Sequence, residues 1–189
     1  MSEVPEGVDL SGFVRKPPRP TATMTLTRDG PNGPEVLLGL RSETMAAFPG
    51  SWAFTGGGVS RVDGAAVESF SVLDVEHGKF IACILRETCE ELGVAPNGDH
   101  LISIDENARF DVIKDKANWL PHAEDCNIPV NVDNINILGH RITPPFGPVQ
   151  FDNAFIHFHC GDWQSVPEID LEPQTEFDDI MWSRPQDIL

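Results

Sequence analysis

Leu85-Arg86-Glu87-Thr88-Cys89-Glu90-Glu91-Leu92-Gly93-Val94 decides how the rest of the chain is read. Taken as a helix, it sets Glu87, Glu90 and Glu91 at i, i+3 and i+4, three carboxylates on one face. Phe80, Ile81, Ile84, Leu85, Thr88 and Leu92 fall at helical spacing on the other side and can bury it. Gly93 stands where a left-handed residue ends a helix, and Val94 opens the next segment. Like charges this close cost an isolated helix roughly 0.2–0.5 kcal/mol per pair. A divalent cation held by hard oxygen donors would cancel that repulsion, and the donors suit Mg2+ or Mn2+. The plain alternative is a solvated acidic face, the usual meaning of clustered glutamates.

Two neighbours weigh against that alternative. Arg86 directly precedes the cluster, and a glycine-rich turn, Phe54-Thr55-Gly56-Gly57-Gly58, lies upstream. Together they resemble the Nudix box, G-x5-E-x7-R-E-U-x-E-E-x-G-U with U apolar. Arg86, Glu87, Glu90, Glu91, Gly93 and Val94 match its second half, with Thr88 at an apolar position. The first half departs. The pattern runs 14 positions from glycine to arginine, whereas 86 − 57 = 29, an excess of 15. Eight before Arg86, where the first glutamate is expected, stands Gly78, and Glu76 is off register. Residues 59–78 therefore read as an insertion in the turn-to-helix loop, which closure entropy tolerates because it grows slowly with length.

Two further stretches resemble the coenzyme A diphosphatase-like branch of the same family. Leu37 to Gly57, with Arg41-Ser42, Met45 and Phe48-Pro49-Gly50, follows LLxxRSxxM…GxxxFPGG, with Thr55 replacing a proline. Ile142 to Phe158 follows ITP…RFDT.FF, with Gln150 in place of the arginine. In that branch the arginine lies near the substrate's phosphates, so Arg41 is a candidate substrate contact. An ordinary surface ion pair at a strand end is an equal alternative.

At 189 residues the chain suits one domain, with an irregular, Pro-rich arm at 1–20 and a single domain over 21–189. A net charge of −17 argues against nucleic acid and anionic membranes as partners. Cys83, Cys89, Cys126 and Cys160 form no CxxC pair, as expected of reduced thiols in the cytoplasm. No apolar run approaches membrane-spanning length, and the acidic N-terminus has no secretory leader character.

Thr21–Thr27 and Glu35–Leu40 read as a hairpin around the turn cluster Asp29–Pro34. Leu101–Ile104 reads as a short strand, 105–120 as a helix, and 121–135 as loop. Residues 136–143 and 151–160 read as strands. His157 and His159 share a strand face beside Cys160; alternating side chains of a half-exposed strand fit better than a metal pair without a third ligand. Ser183-Arg184-Pro185 begins a helix at the chain's end, as it would in a piece of a longer protein.

The family resemblance implies an α/β/α sandwich on a mixed sheet with the box as a loop-helix. It also implies a hydrolase that needs Mg2+ or Mn2+ and cleaves the diphosphate linkage of a nucleoside diphosphate derivative, coenzyme A or an acyl-coenzyme A being favoured. Glu87 and Glu91 are then the main metal ligands, with Glu90 sharing and Gly57 (or Gly58) giving a carbonyl. Gly58, with Arg41, also falls on the substrate's side. Arg86 pairs with Glu90 and holds a carboxylate rotamer. The general base is Glu87 or a later acid; Glu168, Asp170, Glu172 and Glu176 are candidates for that role or for an extra metal ligand, with solvated loop charge as the plain alternative. The expected partner is a small-molecule diphosphate, and a homodimer is carried as an open expectation. A Nudix-fold nucleotide-binding or sensor domain without turnover is the alternative, favoured by the missing first glutamate and the insertion.

Overall fold

The computed structural model describes Gly7, residues 17–67, 75–114, Ala123, 131–144, 150–174 and 176–188. Most of the arm, residues 68–74 of the expected insertion, and 115–120 of the expected helix lie outside the described residues. So do Cys126 and the 145–149 part of the second matched stretch.

The hairpin is present as β1 (Arg19–Gly30) and β2 (Gly33–Arg41), paired antiparallel from Thr27↔Val36 to Gly30↔Gly33. β1 starts at Arg19, before the expected Thr21. Its central residues alternate, with Ala22, Met24 and Leu26 buried and the intervening threonines on the opposite face. β3 (Trp52–Ala53) pairs with β2, and β4 (Thr55–Gly58) pairs with the first half of β1.

Two helices follow. α1 (Arg61–Ala66) and α2 (Val75–Leu92) both begin inside the segment read from the sequence as an inserted loop. The reason for α1 is local: Ser60 caps it and Asp63 returns the bond to the Ser60 N–H, a capping box. β5 (Val94–Asn97) and β6 (His100–Ser103) form a separate two-stranded ribbon, and α3 spans Glu106–Lys114. β7 (Asn136–Ile142), β8 (Phe151–Asp162), β9 (Phe177–Ser183) and the short α4 (Pro185–Ile188) complete the described elements.

The main sheet runs β3-β2-β1-β8-β7, with β4 also on β1 and β9 also on β2. It is mixed, because β1 lies parallel to β8 while the other pairs are antiparallel. The fold is thus the expected α/β architecture on a mixed sheet. α2 packs on the sheet, burying Phe80, Ile81, Ile84, Leu85 and Leu92 against Met24, Leu26, Ile156 and Phe158. Each such large apolar side chain contributes about 1.5–3 kcal/mol. That packing explains how a helix carrying three adjacent glutamates holds its place. Among the described residues Cys83, Cys89 and Cys160 are buried, and no helix is long and apolar enough to cross a membrane.

Candidate active site

The site forms where β4 lies against α2. Pairing with β1 brings Gly56 opposite Thr23 and Gly57 opposite Ala22. Gly56 has φ +155, and a Cβ there would sit 2.2 Å from the Ala22 carbonyl oxygen, part of a backbone that cannot yield. Gly56→Ala is therefore expected to destabilise the fold by roughly 1–3 kcal/mol; an unchanged thermal midpoint would contradict this packing. A Cβ on Gly57 would lie 2.2 Å from Glu87 Oε1, so a bare backbone there is what lets the helix carboxylate approach.

Arg86 organises the carboxylates. Its Nε donates to Asp63 Oδ1 (2.9 Å) and its Nη2 to Asp63 Oδ2 (3.1 Å) and the Gly58 carbonyl (3.3 Å). Its Nη1 reaches Glu87 Oε1 at 2.8 Å and Glu90 Oε2 at 3.3 Å. All four side chains are nearly buried. Burial works against the arginine's charge, but the bond to Asp63 and the charges of Glu87, Asp63 and Glu90 outweigh it and raise its pKa.

Glu91 is different. It is 1% exposed; Oε2 accepts from the Gly56 N–H at 3.1 Å, while Oε1 is buried with no hydrogen-bond partner among the described residues. Burial, and then the charges of Glu87 and Glu176, push its carboxyl well above the ordinary value of 4.5. The Gly56 N–H and, more weakly, the charge of Arg41 pull the other way. A buried carboxylate oxygen left without a proton donor costs about 1–3 kcal/mol. Among the described residues no three His, Cys, Asp or Glu side chains converge on one point, so main-chain oxygens would have to complete any ion site here.

Beyond the glycines a cleft of about 570 Å³ opens, bordered by Gly56–Gly58, Arg41, Phe48, Trp52, Phe151 and Asn153. Phe48 and Trp52 are 76% and 40% exposed at its rim. Arg41, at the end of β2, donates Nε to the Ala47 carbonyl (2.9 Å). The next residue's N–H, that of Ser42, bonds the Glu176 carbonyl (2.9 Å), bringing the start of β9 to the same place.

The fold brings together Glu87, Glu91, Gly57 and Gly58, with Arg86 and Glu90 directly behind and Arg41 on the cleft wall. Two features were not found in the sequence. Counting forward from Gly57, 57 + 6 = 63, so Asp63 holds the first-acid position of G-x5-E; counting back from Arg86 across the extra residues had landed on Gly78. The extra fifteen residues lie after that acid, not before it. Among the four later acids, Glu176 is the one whose charge reaches Glu91. Glu168, Asp170 and Glu172 instead border a separate hollow of about 90 Å³ beside Arg109. His157 Nε2 and His159 Nδ1 both meet the Thr27 hydroxyl, at 2.8 and 3.1 Å, as ordinary neighbours on a strand face.

The fold as a whole is that of Nudix hydrolases. The chain superposes on the crystal structure of a Nudix hydrolase from Alicyclobacillus acidocaldarius with a TM-score of 0.77 and 25% identity, over 93% of this chain and 82% of that one. It also aligns with the Nudix domain of Shewanella oneidensis NrtR, solved with ADP-ribose, at a TM-score of 0.52 and 14% identity, over 96% and 81%. The second likeness shows the fold alone; the first also supports placing the chain in the Nudix superfamily. No family model and no curated protein matches the sequence.

Proposed function

We propose that this chain is a metal-dependent hydrolase that cleaves the diphosphate linkage of a nucleoside diphosphate derivative. The observation that carries the reading is Glu91: a buried carboxylate with one oxygen unpartnered among the described residues, tied to a glycine strand that borders an open cleft. Such an oxygen fits a cation better than it fits a solvent-free core.

Glu87 and Glu91 would hold Mg2+ or Mn2+ with the Gly57 carbonyl, and Glu90 would share in neutralising it. When bound, such an ion screens the diphosphate and lowers the pKa of the attacking water. Arg86, held by Asp63, keeps Glu87 and Glu90 from turning away. Arg41 sits where it can pair with a diphosphate oxygen, and the Gly58 end of β4 leaves room for the phosphate to approach. Glu176, close enough to act on Glu91, is our choice of general base, with Glu87 the other carboxylate in reach. Water oxygen bonds to phosphorus, its proton passes to that carboxylate, and the P–O bond to the leaving phosphate breaks. Phe48, Trp52 and Phe151 offer flat apolar surface for the organic part of the substrate. Coenzyme A or an acyl-coenzyme A is the favoured member of the class, on the resemblance of residues 37–57 and 142–158 alone.

The alternative, a Nudix-fold binding or sensor domain, drew support from the missing first acid. Asp63 at that position removes this support, and the extra fifteen residues remain its only argument. A panel of coenzyme A, ADP-ribose, dinucleoside polyphosphates and NADH, incubated with Mg2+ or Mn2+, separates the readings. Metal-dependent release of a monophosphate product is expected; ligand-induced thermal shift with no product from any of them would favour the sensor. On the best substrate, Arg41→Ala is expected to raise KM by about tenfold or more, the worth of a charge-assisted bond. An unchanged KM would remove Arg41 from the substrate site.

A further inference from the structure

Arg109 is 2% exposed, yet it faces no carboxylate partner among the described residues. Its fork is spent on main-chain carbonyls. Nε donates to Glu90 O (3.2 Å), and Nη2 to Glu90 O (2.9 Å) and Glu91 O (3.0 Å). Nη1 donates to Asp170 O (2.7 Å) and to Glu172 O. The five contacts match the five N–H groups of a guanidinium.

The first three contacts sit on the last turn of α2, whose carbonyls have no helical partners and carry partial negative charge. They belong to two residues whose side chains build the candidate site. The last two sit on the loop that leads, through Gln174, to Glu176. Gly93, ending the helix at φ +64, makes this approach possible: a Cβ there would lie 2.8 Å from Arg109 Nη1. A buried cation thus bridges the end of α2, which bears Glu90 and Glu91, to the loop that leads to Glu176.

We infer that Arg109 is a positioning residue that fixes the spacing between Glu91 and the Glu176 loop, and through it the affinity of the site for a divalent cation. This rests on the metal-dependent reading above. A lysine keeps the charge but supplies three donors from one point, so it cannot hold both backbones in the same geometry. Outer partners of metal ligands typically change affinity by about ten- to a hundredfold when replaced.

The test uses Mn2+ alone, titrated into the full chain and followed by electron paramagnetic resonance of the free ion. Arg109→Lys is expected to weaken Mn2+ binding at least about tenfold. Val112→Ala, on the same helix and fully buried, provides a control of comparable stability loss and is expected to leave binding unchanged. Glu176→Gln should weaken binding in the parent chain but have much less effect in the Arg109→Lys background, because the spacing it depends on is already lost. If Arg109→Lys does not fold, Gly93→Ala displaces the guanidinium instead and should weaken binding in the same way. Arg109→Lys binding Mn2+ as the parent does, or losing no more than Val112→Ala, overturns the inference alone. Absence of Mn2+ binding by the parent overturns the hydrolase reading together with it.

Discussion

Replacing Glu91 by glutamine is expected to stabilise the metal-free protein and to abolish its metal-dependent hydrolysis. The two effects share one cause. Glu91 is buried, its carboxyl is raised above 4.5, and its Oε1 has no partner among the described residues. A raised folded-state pKa means that the group contributes stability below its unfolded value and loses it as pH climbs through the folded one. The parent protein without metal should therefore become less stable from the acid side toward neutral pH. Glutamine keeps an oxygen for the Gly56 N–H and carries no charge, so that slope should flatten. The expected gain near pH 7.5 is roughly 1–3 kcal/mol, which is about 2–4 °C in thermal midpoint for each kcal/mol. Hydrolysis should fall by at least about a hundredfold, since a bound ion supplies several kcal/mol of charge stabilisation. Added Mn2+ should raise the midpoint of the parent and not of the variant. Full residual turnover in the variant would remove Glu91 from the mechanism.

Arg86→Met carries the largest expected loss of stability. The guanidinium is nearly buried and bonds Asp63, Glu87, Glu90 and the Gly58 carbonyl. Methionine matches much of its apolar stem but leaves three carboxylates facing one another without their cation. Removing one partner from a buried ionic cluster typically costs about 3–5 kcal/mol, on the order of 10 °C for a chain of this size. Pairing the change with Asp63→Asn should recover part of the loss, because one uncompensated charge goes with it. Equal losses from single and double variants would show that Asp63 and Arg86 do not act as a unit.

The chemistry of α2 was legible because it lies within one turn: Glu87, Glu90 and Glu91 can be placed on a helix face by counting alone. The hairpin, β7 and β8 were legible for a similar reason, since threonine alternation in β1 and apolar alternation in β8 carry the two-residue period. What spacing could not reveal depends on distance in the chain. Glu176 is far from Glu91 in sequence, and the pairing of β9 with β2 brings its loop to the site. Arg109 gives no sequence signal either, because its bonds go to main-chain oxygens, which every residue has.

Asp63 is a different kind of miss. Ser60-Arg61-Val62-Asp63 is a capping-box sequence, and G-x5-acid holds when counted from Gly57. Counting back from Arg86 instead crosses fifteen residues that the pattern does not contain and lands on Gly78. The structure resolves it by bonding: Arg86 is buried among carboxylates, and Asp63 is the one its Nε meets.

The most direct test is anomalous diffraction at the manganese edge from crystals of the parent chain grown with Mn2+. A peak beside Glu91 Oε1, between the α2 carboxylates and Gly57, with none there in Glu91→Gln crystals, is the predicted result. No peak at that place under saturating Mn2+, or ordered density only at distant surface acids, would contradict the account at its centre.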